Sequence, residues 1–458
     1  MFKRTLKIVG WLLGSVFGLA IVAYGALFAA NLKDQPPAPE IAVLKSHLDL
    51  TSPVESEQNS YLFMLGFAAP DDTDPISLGK KQYEWMKSAG PEYKSQDPVG
   101  VKRDYRALRS KPVEELGQAC ANAAKAAVDC FALLEDQNSA LEQWLSDELW
   151  LLERYQSLLT LGDFQEVVPF DFLAPLPSYS VVFDGQSLHL LNAWLAARRG
   201  DAAEVNAALQ ADLMYWRLVL KRSNALITKM IAVSAIVRHF KFGNEVLRNL
   251  PQQAALDGIP SEWGREFSDE ERSMKRSLAG EWMFFENLIS MYSNPDHWQL
   301  VTESTDWDRF GWSLFEPFWQ RQDVSNRYAT YMLDLGNILD VPYTEADSMV
   351  QKAEDLGSNV FRRFSRLYNF TGDLVMGHEQ SNFSSFALRV WDLEGVRRVA
   401  LVVAQVRAEG ATKREAPFQV FNSELVNPYD EEPFTWQDDM VVFFGRAPND
   451  RSTHEFAY

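Results

Sequence analysis

The sequence predicts a mainly α-helical protein: an N-terminal transmembrane helix, then an antiparallel helical exported domain with a small C-terminal β-hairpin. Three observations predict this. Residues Ile8 to Ala30 run for 23 positions without a charge. From Leu133 onward, apolar residues recur at helical spacing and are separated by short, capped connections. The last forty residues turn to Pro-, Asn- and Asp-rich loop chemistry followed by the strand Met440–Gly445.

The first element is the apolar run. At about 1.5 Å per residue a 23-residue helix is about 35 Å long, enough to cross a hydrocarbon core of about 30 Å. Lys3, Arg4 and Lys7 precede it, which places residues 1–7 in the cytoplasm and the chain after residue 30 outside. A cleaved signal peptide is the rival reading, but its apolar region is shorter and ends in a small-x-small site, where this run has Leu27-Phe28-Ala29. Gly10, Gly14 and Gly18 share one face at a spacing that lets two membrane helices approach, so a homodimer through this helix is one expectation. The full chain of 458 residues carries a net charge of -19, and the part after the three leading cations carries -22. Such an acidic body excludes nucleic acid as a partner, because phosphate binding needs a basic face.

Residues 31–55 read as a Pro-rich tether, extended through Gln35-Pro36-Pro37-Ala38-Pro39. The body divides at Leu250–Pro260 into 56–250, a first helical half, and 251–458, a second half that includes the hairpin. The pattern predicts helices at Gln186–Arg199, Ala202–Lys221 and Ala225–Leu247. The short links Gly200-Asp201 and Arg222-Ser223-Asn224 make these three antiparallel neighbours. Ser268-Asp269-Glu270-Glu271 is a capping box for a helix running toward Met291. Further helices are expected at Asn326–Leu339, Thr344–Arg366 and Ser385–Glu409. Cys120 and Cys130 are the only cysteines. In an oxidising compartment they form a disulfide staple if Ala121–Asp129 bends, whereas one continuous helix would separate them by about 15 Å and leave two free thiols.

Chemistry-bearing motifs are sparse. The sequence has no phosphate-binding glycine loop, no nucleophile elbow and no HExxH, and its six histidines never fall at ligand spacing, so neither metal nor cofactor is expected. Two features remain as candidates. Asp212 and Lys229 each fall on an apolar helix stripe, and a buried charge must pair or shift its pKa. They read as a charge pair that locks helix register, with a desolvated lysine base or nucleophile as the catalytic alternative. The second feature is aromatic density. Thirteen aromatic residues lie between Trp282 and Tyr331, and the stretch Trp307–Trp319 lacks clean helical period. Trp307, Phe310, Trp312, Phe315, Phe318 and Trp319 are therefore expected either to fill an irregular core, to form a contact surface for a partner, or to touch the bilayer beside the anchor.

Glu57-Gln58-Asn59-Ser60-Tyr61, Leu151-Leu152-Glu153-Arg154-Tyr155 and Leu226-Ile227-Thr228-Lys229-Met230 resemble segments of proteobacterial single-pass envelope proteins. That resemblance implies a bacterial inner-membrane location with the bulk of the chain in the periplasm, and carries no activity. The ending Asn427-Pro428-Tyr429 to Thr435-Trp436 is similar to a turn near the C-termini of many exported proteins, pseudopilins included, although the N-terminus lacks their processing site. Phe170-Asp171-Phe172 resembles the RxxFDY signature of lipase-specific foldases, with Val167 in place of the arginine and Phe172 in place of the tyrosine. The leading expectation is a non-enzymatic envelope scaffold that binds another envelope protein through Trp307–Trp319. The rivals are an envelope hydrolase around Lys229 and a chaperone or immunity protein for a secreted partner.

Overall fold

Gly200 and Asp201 set the geometry at the centre of the molecule. Gly200 takes the left-handed backbone, φ +77°, that ends α7 (Tyr179–Arg198), and the Asp201 carboxylate accepts from Glu204 N–H to start α8 (Ala202–Arg222). After extended Ser223, α9 (Leu226–Arg248) runs back, so the three helices pack as antiparallel neighbours, as their short links predict. Helix α7 starts at Tyr179, about two turns before the expected Gln186, because Pro175 and Pro177 precede the helix instead of interrupting it.

The computed structural model describes residues 2–48, 56–70, 72–89, 138–166, 171, 174–293, 305–361, 367–376, 382–448 and 452–458. It is mainly helical, with a small antiparallel sheet near the C-terminus. The N-terminal part holds α1 (Phe2–Ala30), α2 (Pro39–His47), α3 (Ser60–Leu65) and α4 (Pro75–Ala89), followed by α5 (Asn138–Asp147) and α6 (Leu149–Leu159). Within α1, Gly10–Ala30 is long and apolar enough to cross a membrane, and none of it is buried in the body. Beyond α9 come α10 (Gln252–Gly258), α11 (Asp269–Arg272), α12 (Lys275–Tyr292), α13 (Asp306–Phe315) and α14 (Arg321–Ile338). The series ends with α15 (Ala346–Phe361), α16 (Phe370–Met376), α17 (Phe383–Ala408) and α18 (Ala416–Phe421). Cys120, Cys130 and most of the foldase-like segment, Phe170 and Phe172 included, lie outside the described residues.

One continuous cluster of buried apolar side chains runs from Ile41 to Phe456. Helix α17 crosses α9 and is buried along most of its length, while α12 and α14 pair in a second layer that also receives α2. The expected tether is therefore tethered only in part. Pro39 opens α2, and Ile41 and Leu44 bury against the body rather than spacing it from the membrane.

Three further expectations need correction. The Ser268 capping box forms, but its helix stops after Arg272 and restarts at Lys275. In a continuous helix the Glu271 carbonyl would accept from Lys275 N–H. Here Lys229 Nζ donates to it at 3.0 Å, and Ser273 turns extended. Residues 306–315 are a regular helix, α13, started by a Thr305–Asp308 capping box that the aromatic pattern obscured.

The C-terminal hairpin, last, is a three-stranded sheet in the order β1 (Thr435–Gln437), β2 (Met440–Phe444), β3 (Thr453–Ala457). Asp438 and Asp439, φ 51° and 59°, make the two-residue turn between β1 and β2, with Trp436 in the strand and not in the turn.

The sheet seats on α17 at Gly395. A Cβ there would stand 2.0 Å from the Phe443 ring, so only glycine admits the ring. Gly395→Ala should destabilise the body by about 2–3 kcal/mol through forced displacement of β2, measured as a lower urea midpoint at unchanged m.

Candidate functional site

Two clusters of polar side chains stand out, one at the centre of the body and one where α1 meets it. The central cluster is built on Asp212, which α8 carries on its apolar stripe between Leu209 and Trp216. Its carboxylate accepts from Tyr155 O–H at 2.5 Å, from His239 Nδ1 at 2.8 Å and from Gln186 Nε2 at 3.1 Å. Burial, the largest single influence, raises the Asp212 carboxyl, but the hydrogen bond and favourable electrostatics of His239, with His189 and the Tyr155 hydrogen bond adding to them, together hold it below its ordinary range.

A histidine on a buried aspartate has the outline of a catalytic dyad. The far nitrogen decides what it can do. Trp263 Nε1 lies 2.8 Å from His239 Nε2, and an indole N–H can only donate. His239 therefore holds its proton on Nδ1, toward Asp212, and its one lone pair is occupied. Trp216 Nε1 donates to the Tyr155 hydroxyl in the same way at 2.8 Å. The centre is a chain of donors and acceptors that joins α6, α7, α8, α9 and the 3-10 turn Ser261–Gly264.

Lys229 is buried too, yet it does not pair with Asp212. Its Nζ donates to Leu220 O at 2.9 Å, one of the last carbonyls of α8, and to Glu271 O. Burial pushes the amine down to about 7, with the Glu271 charge opposing. Glu271 itself takes both Arg217 Nε and Nη2 at 2.8 Å, and Arg217 Nε also lies 3.2 Å from Glu262. The charge pair expected between Asp212 and Lys229 does not form. Reflected through Ser223–Asn224, Asp212 falls level with Ala235, and His239 is one turn away on the same helix whereas Lys229 is farther, about 9 Å along the axis.

A group that periodicity did not single out is Glu166. It caps the N-terminus of α9, with Oε2 accepting from Asn224 N at 2.6 Å and Ala225 N at 2.8 Å, and Oε1 from the Thr228 hydroxyl. Burial raises this carboxyl to about 7 even so. Glu281 adds a second carboxylate there, 3.3 Å from Leu226 N, while Glu286 instead pairs with Arg321 at 2.6 Å. In sequence, Glu166 carries no helical signal, and only its position before a Pro-rich segment hints at a cap.

The second cluster lies at the end of α1. Asn31 donates to Leu27 O and Leu367 O, both at 2.8 Å, and its Oδ1 accepts from Asn369 N at 2.6 Å. Gln320 Nε2 donates to Asn31 O at 2.7 Å. Asn369 uses its whole side chain: Oδ1 accepts from Gln320 N and Gly372 N, and Nδ2 donates to Gln320 O and Asp323 Oδ2. Asp34 then accepts from Gln322 N and Asp323 N, which caps the start of α14. Asn31, Gln320, Asp323 and Asn369 are all buried.

Of the aromatic candidates, Trp307, Phe310 and Phe315 are exposed on α13, Trp312 and Trp319 are half-buried with rings 6.0 Å apart, and Phe318 is buried with its ring 5.0 Å from Tyr24 of α1. Trp319 Nε1 donates to Ser293 Oγ. The structure thus brings Phe318 to the membrane helix and splits the others between packing and surface. Gly10, Gly14 and Gly18 face open space, with nothing within 4 Å of a Cβ at any of them. Among the described residues no group of three His, Cys, Asp or Glu is placed to hold a metal ion. Family models, curated proteins and solved structures yield no match to this chain.

Glu166 and Lys229 give the body opposed pH dependences. A carboxyl raised from 4.5 to about 7 binds more protons folded than unfolded, so its contribution falls as pH rises from 4.5 to 7. An amine lowered from 10.5 to about 7 binds fewer protons folded, so stability climbs from pH 7 to 10.5. Urea titrations across pH should show Glu166→Gln flattening the acidic limb and Lys229→Met the alkaline one.

Proposed function

We propose that this chain is a single-pass inner-membrane protein of the bacterial envelope whose body, on the periplasmic side, acts as a scaffold for another envelope protein. Lys3, Arg4 and Lys7 ahead of the apolar run support the orientation, because cations are retained on the cytoplasmic side. One observation carries the functional part: the buried hydrogen-bond cluster of Asn31, Gln320 and Asn369 that joins α1 to the body.

An enzyme that only needs confinement to a membrane is served by a loose linker. Here the helix end, the start of α14 and the segment before α16 are welded by polar groups withdrawn from water, which is worthwhile only when every one of them is partnered. Such a joint fixes the height and orientation of the body above the bilayer. Fixed orientation serves a protein that must present one face to a neighbour in the same membrane or layer. Phe418 and Phe421, exposed on α18, supply apolar surface for that neighbour away from α13. The open stripe of Gly10, Gly14 and Gly18 fits a second copy of α1 within the bilayer.

The catalytic alternative at Lys229 has less support, since both its hydrogen-bond directions toward the body end on backbone carbonyls. Inserting ten Gly/Ser residues between Ala30 and Asn31 tests the scaffold. Cross-linking in native membranes should show discrete adducts of the natural chain that are lost with the insert, while the thermal transition of the body moves little. Adducts indifferent to the insert would contradict an orientation-dependent scaffold.

A further inference from the structure

Resting on the reading of α1 as membrane-spanning, we propose that α13 is a second membrane element, its aromatic face lying in the outer boundary of the same bilayer. Trp307, Phe310 and Leu314 recur at i, i+3 and i+7 on one side of α13, with Phe315 beside them, and they are 81%, 57%, 44% and 47% exposed. Asp306, Arg309, Ser313 and Glu316 occupy the other side or the ends of the helix. Four large apolar side chains exposed on three turns mark a surface that some apolar phase covers.

Contact with α1 identifies that phase. The Tyr24 ring meets Phe318 edge-on at 5.0 Å, and the Tyr24 hydroxyl donates to Leu314 O at 3.4 Å. Tyr24 lies six residues before Ala30, the last residue of α1, which is about 9 Å along the helix axis. The C-terminal end of α13 is therefore level with the last two turns of the membrane helix, at the depth where the hydrocarbon gives way to headgroups. Tryptophan and other aromatic rings are at home there. A helix lying in that plane inserts its apolar face about 5–10 Å and leaves its polar face in water.

Charge defines the lipid chemistry. Asp306, Asp308 and Glu316 outnumber Arg309 on and beside α13, so attraction to anionic headgroups does not hold it there. Insertion of the aromatic face does, and it fits a zwitterionic surface as well as an anionic one. A protein occupant would have to displace lipid packed against α1 to reach the same face.

The test uses the full chain reconstituted in phosphatidylcholine vesicles, with plain or brominated acyl chains, beside a Trp307→Phe variant. The fluorescence difference between the two isolates Trp307, an exposed side chain whose replacement by phenylalanine leaves the fold and the apolar face intact. That signal should be quenched by brominated lipid and shielded from iodide, with no change on adding phosphatidylglycerol. Quenching by iodide with indifference to bromine would overturn the proposal, and so would quenching by lipid that appears only with anionic headgroups. Alkaline carbonate separates the two readings. A chain washed off the vesicles contradicts the spanning of α1 and the proposal with it, whereas a retained chain with iodide-quenched Trp307 overturns the α13 contact alone.

Discussion

Asn369 takes a left-handed backbone, φ 55°, and in that conformation one side chain and its own N–H reach three separate stretches of chain. They meet Asn31 at the end of α1, Gln320 and Asp323 at the start of α14, and Gly372 in α16. Asparagine is among the few non-glycine residues that tolerate this backbone. Its amide supplies two donors and two acceptor positions, and all are used here. Buried amides are stable only when satisfied, so the joint is cooperative: each partner is needed to keep the others satisfied. The membrane helix, the seating of α2 and the position of α13 against Tyr24 all depend on it.

The same physics recurs across the body in a second form. Beside the local caps of α8, α11 and α13, other helix ends are closed by side chains distant in sequence. Glu166 serves the N-terminus of α9, and Lys229 the C-terminus of α8. On α17, Asp392 accepts from Tyr429 O–H at 2.6 Å, Arg446 N at 2.8 Å and Ala447 N at 3.0 Å, tying the β2–β3 loop to the helix beneath the sheet. Each is a buried ionisable group held by several backbone or hydroxyl partners. Acidic composition thus has two parts, a solvated exterior and a set of interior carboxylates that bolt helices together.

Much of the helical body was legible in the sequence because local signals set it. Asp201 and Gly200 mark a turn unambiguously, and α8 and α9 follow within one residue of the expected limits. The charge-free run also announces itself without context. What escaped were features decided by partners far along the chain. Lys229 interrupts the helix after Ser268 by taking the Glu271 carbonyl, which no local pattern encodes. Asp212 is a buried charge by its stripe, but the choice of His239 over Lys229 depends on axial offset across a hairpin. The period of α13 is hidden when the aromatic stretch is taken whole through Trp319, across the break at Pro317, although Trp307, Phe310 and Leu314 keep one side of residues 306–315 and Asp306, Arg309 and Ser313 the other. The third strand is hidden because β3 alternates about His454 with little apolar signal of its own.

Hydrogen exchange of the full chain in a lipid bilayer tests the central joint most directly. The amides of Gln320, Gln322, Asp323 and Asn369 donate to side chains of the joint and not to ordinary helical carbonyls. Slow exchange at these four amides, comparable with the core of α9 and released together by Asn31→Ala, is the result that a rigid joint between membrane helix and body requires. Fast exchange there in the natural chain, with α9 protected, would mean that the body swings freely from its anchor.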